Sequence, residues 1–143
     1  MRGIRSHNVK VLPLICYEVI FPKITRLSEN NHDLIINITN DAWFGSSRGP
    51  YQHLALAKIR TVLEGKYMFR VANTGISTVI DYNGNIVEKI KLDKSGVIDK
   101  KLVLYKKNTL YTYLGDYIFY ALLLVLALIL IKINLKHGLK NKI

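Results

Sequence analysis

The chain has 143 residues, half of them hydrophobic, and a formal net charge of +11. That length supports one domain with a real core, and that apolar content excludes global disorder. A single cysteine, Cys16, excludes an internal disulfide framework and a multi-cysteine zinc site.

A basic balance points to nucleic acid or an anionic membrane as partner, and here the charge is unevenly placed. Lys132, Lys136, Lys140 and Lys142 end the chain with no acid among them, and a second basic stretch runs from Lys89 to Lys107. There is no arginine-rich block with interleaved aromatics, so no nucleic-acid partner is expected. The C-terminal segment offers the better account of the charge. The N-terminus is basic, but Lys10 and Pro13 interrupt the next apolar run, which is strand-like, and no signal peptide is predicted.

Val9 to Ile15 is an apolar run rich in β-branched residues and reads as a buried strand. Cys16 then sits at its C-terminal end, where chemistry collects in open α/β folds. Read locally, Cys16 has two meanings. Free cysteine is more often a small buried hydrophobe, but near a helix start it is also a candidate nucleophile. Phe21-Pro22-Lys23 marks a helix start, and a short helix is predicted from about Lys23 to Asn30, with Ile24 and Leu27 inward. Leu34 to Thr39 is a second, nearly continuous apolar strand. Together they make a βαβ-like beginning.

Asn40 to Pro50 is predicted as a long loop on the same rim as Cys16, and it carries the only tryptophan, Trp43. A helix from about Tyr51 to Glu64 comes next, with Leu54, Ala55, Ile59, Val62 and Leu63 as its apolar face and Gly65 as its C-cap. Strands are predicted over Tyr67–Ala72, Ile76–Ile80, Ile86–Leu92 and Gly96–Tyr105. An Asn-Gly hairpin turn at Asp81–Asn85 makes these later pairs antiparallel.

From Tyr117 to Ile131 fifteen residues carry no formal charge. A bilayer core needs about 20, and a snorkelling Lys132 with Ile133 and Leu135 extends the run. A helix from Tyr117 to Leu135, capped by Asp116, is roughly 28 Å long. Tyr111, Tyr113, Tyr117 and Tyr120 gather at one end as an interfacial belt, and the lysine tail is expected to be cytoplasmic. The domains are then 1–108, a linker 109–116, a transmembrane helix 117–135 and a basic cytoplasmic tail 136–143.

Several segments together resemble one family. They are Pro13-Leu-Ile-Cys-Tyr-Glu18 with Phe21-Pro22, Asn37-Ile-Thr-Asn-Asp-Ala-Trp-Phe-Gly45, Gly49-Pro-Tyr-Gln-His53, Arg70-Val-Ala-Asn-Thr-Gly-Ile76 and the Asp81–Asn85 turn. Their order and spacing resemble the C-terminal part of the apolipoprotein N-acyltransferases, a membrane-anchored branch of the nitrilase superfamily with a carbon-nitrogen hydrolase-like domain. The resemblance implies an α/β fold, part of a nitrilase-type α-β-β-α sandwich, followed by one transmembrane helix.

It also implies a reaction. A fatty acyl chain passes from a phospholipid to the N-terminal amine of a diacylglyceryl-modified apolipoprotein, by way of a thioester on Cys16. The Tyr17 backbone N–H then helps hold the oxyanion. Glu18 orients neighbours or pairs with a cation, or is an ordinary helix-start carboxylate. Trp43 and Phe44 line the acyl entrance, or simply pack their loop. Asn40 and Asp41 are candidate substrate-binding residues beside them. His53 reads as structural, Glu64 supports the rim or ends its helix, and Asn73 and Gly75 shape a turn. No cofactor and no metal are expected.

The triad implied is Glu-Lys-Cys. Its glutamate and lysine precede the cysteine strand by many tens of residues in the family, whereas fifteen residues precede Cys16 here. The isolated chain is therefore expected to be inactive, as a truncated form or as one half of a split enzyme completed by an upstream chain. A non-catalytic membrane-anchored remnant or interaction module is the alternative, and a soluble amidase of the same superfamily is a weaker one. The expected location is the bacterial inner membrane, with the domain on the periplasmic or outer side and the tail in the cytoplasm.

Overall fold

The computed structural model describes residues 4–6, 8–27, 32–105 and 107–140, with side chains 5, 6, 26, 27 and 135–140 left aside. The chain divides into two compact units, Met1–Thr112 and Tyr113–Ile143.

The first unit is one six-stranded sheet in sequence order: β1 (Ile4–Ser6), β2 (Val9–Ile15), β3 (Leu34–Asn40), β4 (Tyr67–Asn73), β5 (Ser77–Ile80) and β6 (Ile86–Ile90). The β2–β3 and β3–β4 pairs are parallel, and the other three are antiparallel. Parallel neighbours need crossovers. Helix α1 (Pro22–Leu27) lies in the first and α2 (Gly49–Glu64) in the second. The βαβ beginning and the Asn-Gly hairpin thus match the sequence reading. The strand β1, which pairs Ile4 with Val11, was not anticipated. The predicted end of α1, at Asn30, lies outside the described residues.

The core lies between the sheet and its helices. Leu12, Leu14, Ile35, Met68 and Ile80 from the strands meet Val19, Leu54 and Ala57, with Ile24 packed at the margin. The opposite face is exposed at the C-terminal ends of the parallel strands. Ile15, Ile38 and Val71 are in register across β2, β3 and β4 and are 54%, 52% and 56% exposed.

Two elements differ from the sequence reading. In α2 the buried residues are Pro50, His53, Leu54, Ala57, Arg60, Thr61 and Glu64, whereas Ile59 and Val62 are exposed. The helix turns a largely polar stripe inward because those side chains find partners there, so of the predicted apolar face Leu54 is buried while Ala55, Ile59 and Val62 are exposed. Gly96 to Tyr105 forms no strand. Gly96 and Ile98 instead line a cavity with Phe69, Val71, Val79 and Ile90, and Lys107 N–H then donates to Gly65 O at 3.3 Å. The segment therefore lies over the sheet instead of adding to its edge.

In the second unit, Asp116 O accepts from Tyr120 N–H at 3.1 Å, which places Asp116 at the N-cap of α4 (Tyr117–Lys140). The helix α3 (Leu110–Leu114) precedes it. The window Tyr117–Asn134 has a mean hydropathy of 2.3, with every side chain exposed, and is long and apolar enough to cross a membrane.

Candidate active site

β2 ends in a sharp turn. Ile15 is extended, and Cys16 follows at φ +48°, opening a 3-10 turn over Cys16–Ile20. A non-glycine residue in the left-handed region carries strain, and such strain persists only where the surroundings enforce it. Three sets of bonds do so. Asn37 Nδ2 donates to Leu14 O (3.1 Å) and to Cys16 O (3.3 Å), tying the turn to β3. The Glu18 carboxylate folds back to accept Ile15 N–H at 2.7 Å. Arg60 Nε reaches from α2 to Val19 O at 3.0 Å. Cys16 is half-buried and has no disulfide partner.

The sulfur sits over a buried polar cluster. Thr39 Oγ1 lies 3.3 Å from Cys16 Sγ and 3.1 Å from Asp41 Oδ1. Asp41 Oδ2 accepts from Arg70 Nη2 at 2.9 Å, and Arg70 Nη1 donates to Asn37 Oδ1. His53 Nδ1 stands 3.0 Å from Asp41 Oδ1 and 3.1 Å from Arg70 Nη2. It therefore has a partner in either tautomer: the carboxylate when protonated, the guanidinium when bare. Asn37, Asp41, His53 and Arg70 are each no more than 2% exposed. Burial pulls the Arg70 guanidinium below its ordinary value, while Asp41 and, behind it, Cys16 pull it back up.

Pleating explains the assembly. Leu14, Asn37 and Arg70 are register partners, and Thr39 lies two residues beyond Asn37 on the same face. Three parallel strand ends thus deliver polar groups beneath one turn. Gly75 completes the seat. A Cβ there would meet Asp41 Oδ2 at 2.3 Å. The left-handed residue of this turn is Thr74, at φ +56°. Gly75 therefore serves close approach, where the sequence suggested turn flexibility.

The remaining candidates fall around this centre. Tyr17 stacks on His53 at 5.1 Å between centroids, and Phe44 meets both rings edge-on. Trp43 is 87% exposed. Asn40 caps the 3-10 turn Asp41–Phe44 through Ala42 N–H and accepts from Asn73 Nδ2. Glu64 lies apart from the cysteine, buried against Thr25 and Arg60; burial raises its carboxyl, and these two partners oppose the rise. Thr39, Asn37 and Arg70 escaped the sequence reading as site residues. The signal was present: polar side chains two apart in an otherwise apolar strand, and an arginine inside Tyr-Met-Phe-Arg-Val-Ala, require buried partners. Among the described residues no cluster of three or more His, Cys, Asp or Glu is placed to hold a metal ion.

A mixed sheet with a cysteine turn at its parallel strand ends defines a nitrilase-type α/β protein. The family model for carbon-nitrogen hydrolases matches residues 2–105, and the chain belongs to that family. Its sequence is similar to that of apolipoprotein N-acyltransferase from Rickettsia bellii, 48% identical over 101 residues, covering 68% of this chain and 20% of that protein. A carbon-nitrogen hydrolase from Helicobacter pylori shares the fold at a TM-score of 0.56 and 13% identity, covering 66% of this chain and 40% of that one. Saccharomyces cerevisiae Nit3, of branch 10 of the nitrilase superfamily, does so at 0.54 and 24%, covering 65% and 37%. The chain spans between 20% and 25% of the length of the first curated relatives it matches.

Proposed function

We propose that this chain carries the nucleophile of a phospholipid-to-apolipoprotein N-acyltransferase, with Cys16 as the acyl carrier. The observation that supports it best is the enforced left-handed φ of Cys16, which lifts one thiol out of the end of β2 within a chain similar to proteins of that name. The Cys16 thiolate attacks the ester carbonyl of a phospholipid, and the lysophospholipid alkoxide leaves with a proton. The N-terminal amine of a diacylglyceryl-modified apolipoprotein then attacks the thioester, loses its proton and releases the thiolate. Tyr17 N–H, in the first turn after the strand and thus without an intrahelical acceptor, supports the oxyanion. Glu18 holds the turn through Ile15 N–H. Trp43 and Phe44 offer the acyl chain an apolar approach, with Asn40 and Asp41 shaping its loop.

The glutamate base and the lysine come from outside these 143 residues, on an upstream chain or segment. α4 crosses the bacterial inner membrane, with the lysine tail cytoplasmic and residues 1–108 on the outer side. The test offers the detergent-solubilised chain a phospholipid with a labelled acyl chain, alone and with the part of the Rickettsia bellii relative that lies outside the matched residues. Hydroxylamine-labile label is expected on Cys16 only in the complemented sample, and none on Cys16→Ala. Label on Cys16→Ala, or none in either sample, refutes the reading.

A further inference from the structure

The cluster beneath Cys16 contains a charge pair that packing alone does not explain. Arg70 and Asp41 are both fully buried, and the core positions flanking Arg70 in its strand register are otherwise apolar or neutral. A buried ion pair is often no more stabilising than apolar side chains of the same volume. The pair nonetheless stands at the end of the parallel strands, and the two η nitrogens of one guanidinium lead by separate routes to one residue. Nη1 reaches the Cys16 carbonyl through Asn37. Nη2 reaches the Cys16 sulfur through Asp41 and Thr39.

We propose that Arg70 and Asp41 are positioning residues that set the charge and orientation of the Cys16 sulfur, Thr39 being the contact; this rests on Cys16 being the nucleophile. The Thr39 hydroxyl has one proton and two acceptors. Beside a thiol it donates to Asp41 Oδ1. Beside a thiolate it turns and donates to Sγ, and His53 Nδ1–H remains on Asp41 Oδ1. The thiol proton leaves to solvent or to the reaction's own base, and the cluster's total proton count is unchanged. Asp41 alone would oppose a thiolate one hydroxyl away; Arg70 cancels that charge. The other ionisable groups around the turn are already engaged or lie in its own first residues. Glu18 is on Ile15 N–H, Arg60 is on Val19 O, and Tyr17 is stacked on His53.

This arrangement predicts opposite signs. Because Cys16 is the sole cysteine, iodoacetamide labelling of the full chain in detergent reports it directly, across pH 5.5 to 9.5. At pH 7, Arg70→Met leaves Asp41 uncompensated and is expected to slow labelling about tenfold, the effect of one nearby charge. Asp41→Asn leaves Arg70 uncompensated and is expected to speed it several-fold. Arg70→Lys, which keeps the charge, stays within about threefold of the parent. Thr39→Val slows labelling, and Thr39→Ser restores it. Shifts of Arg70→Met and Asp41→Asn in the same direction, Arg70→Lys as slow as Arg70→Met, or Thr39→Ser no better than Thr39→Val would each overturn the proposal. Labelling needs no acyl donor. Normal sign reversal without a Cys16 thioester therefore refutes the acyl-transfer reading alone, and a thioester with flat labelling profiles refutes this one.

Discussion

Gly75→Ala is a test of how tightly the Asp41 seat is built. The new Cβ would lie 2.3 Å from Asp41 Oδ2, 2.7 Å from its Cβ and 2.8 Å from its Cγ. Two of these are atoms near the root of the side chain, so a rotamer change at the tip does not clear them. Nor is the carboxylate free to leave: Thr39, His53 and Arg70 hold it. If the strands give way instead, overpacking of this kind costs about 1–3 kcal/mol. If Asp41 is expelled, Arg70 loses its buried partner, at about 3–5 kcal/mol. The smaller of the two routes is taken, so a loss of about 1–3 kcal/mol is expected. With a urea slope of about 2 kcal/mol/M, the midpoint of the detergent-solubilised chain falls by about 0.5–1.5 M. In an Asp41→Gly background all three contacts are gone, and the same substitution should cost little or nothing. A midpoint unchanged in the parent background, or an equal loss in both backgrounds, refutes the close-approach account.

Other expectations rest on the same bonds. His32 is 2% exposed, and burial, aided by the Lys66 charge and opposed by Asp33, lowers its pKa from 6.5 to about 4. The unfolded chain takes up that proton first, so stability is full above about pH 6.5 and declines toward pH 4 by about 3 kcal/mol. Urea midpoints at pH 7.5 and 5 should differ in the parent and converge in His32→Phe. Arg60→Met removes the Arg60–Glu64 ion pair and the donor to Val19 O and should cost about 3 kcal/mol or more, most of it regained in Arg60→Met/Glu64→Leu; a double variant as unstable as the single one would contradict this. Leu126→Asp places a charge in the apolar run of α4 and should shift the expressed chain from the membrane to the soluble or degraded fraction, as fractionation and blotting would show.

What could be read from residues was what depends on periodicity and local chemistry. Val9–Ile15 and Leu34–Thr39 declared themselves as buried strands, and Asn83-Gly84 as a hairpin. Gly96–Tyr105 misled because alternation describes a residue's neighbours only if a sheet edge is there to receive it. α2 misled for a related reason. Ile59 and Val62 look like an inward stripe until His53, Arg60 and Glu64 are seen to have partners on other elements. Those partners come from Asp41, Val19 and Thr25, between 12 and 41 residues away in sequence. Cys16 was visible as a candidate because strand ends gather chemistry, and Tyr17 and Phe44 through the family resemblance. Thr39 and Arg70 were not, since a hydroxyl or a guanidinium acquires meaning only when register sets it against Asn37, Asp41 and the sulfur.

The left-handed backbone at Cys16 has a bearing on how this sequence drifts. Such a conformation costs a residue with a side chain about 1–2 kcal/mol that glycine does not incur. Cys16→Gly would therefore remove the thiol and relax the chain in one step, whereas Cys16→Ala removes the thiol and keeps the strain. On the proposed function, stability and chemistry pull in opposite directions at this one codon. Where the thiol is no longer required, glycine is the downhill replacement, so the identity of residue 16 across closely related chains records whether the sulfur is still under selection.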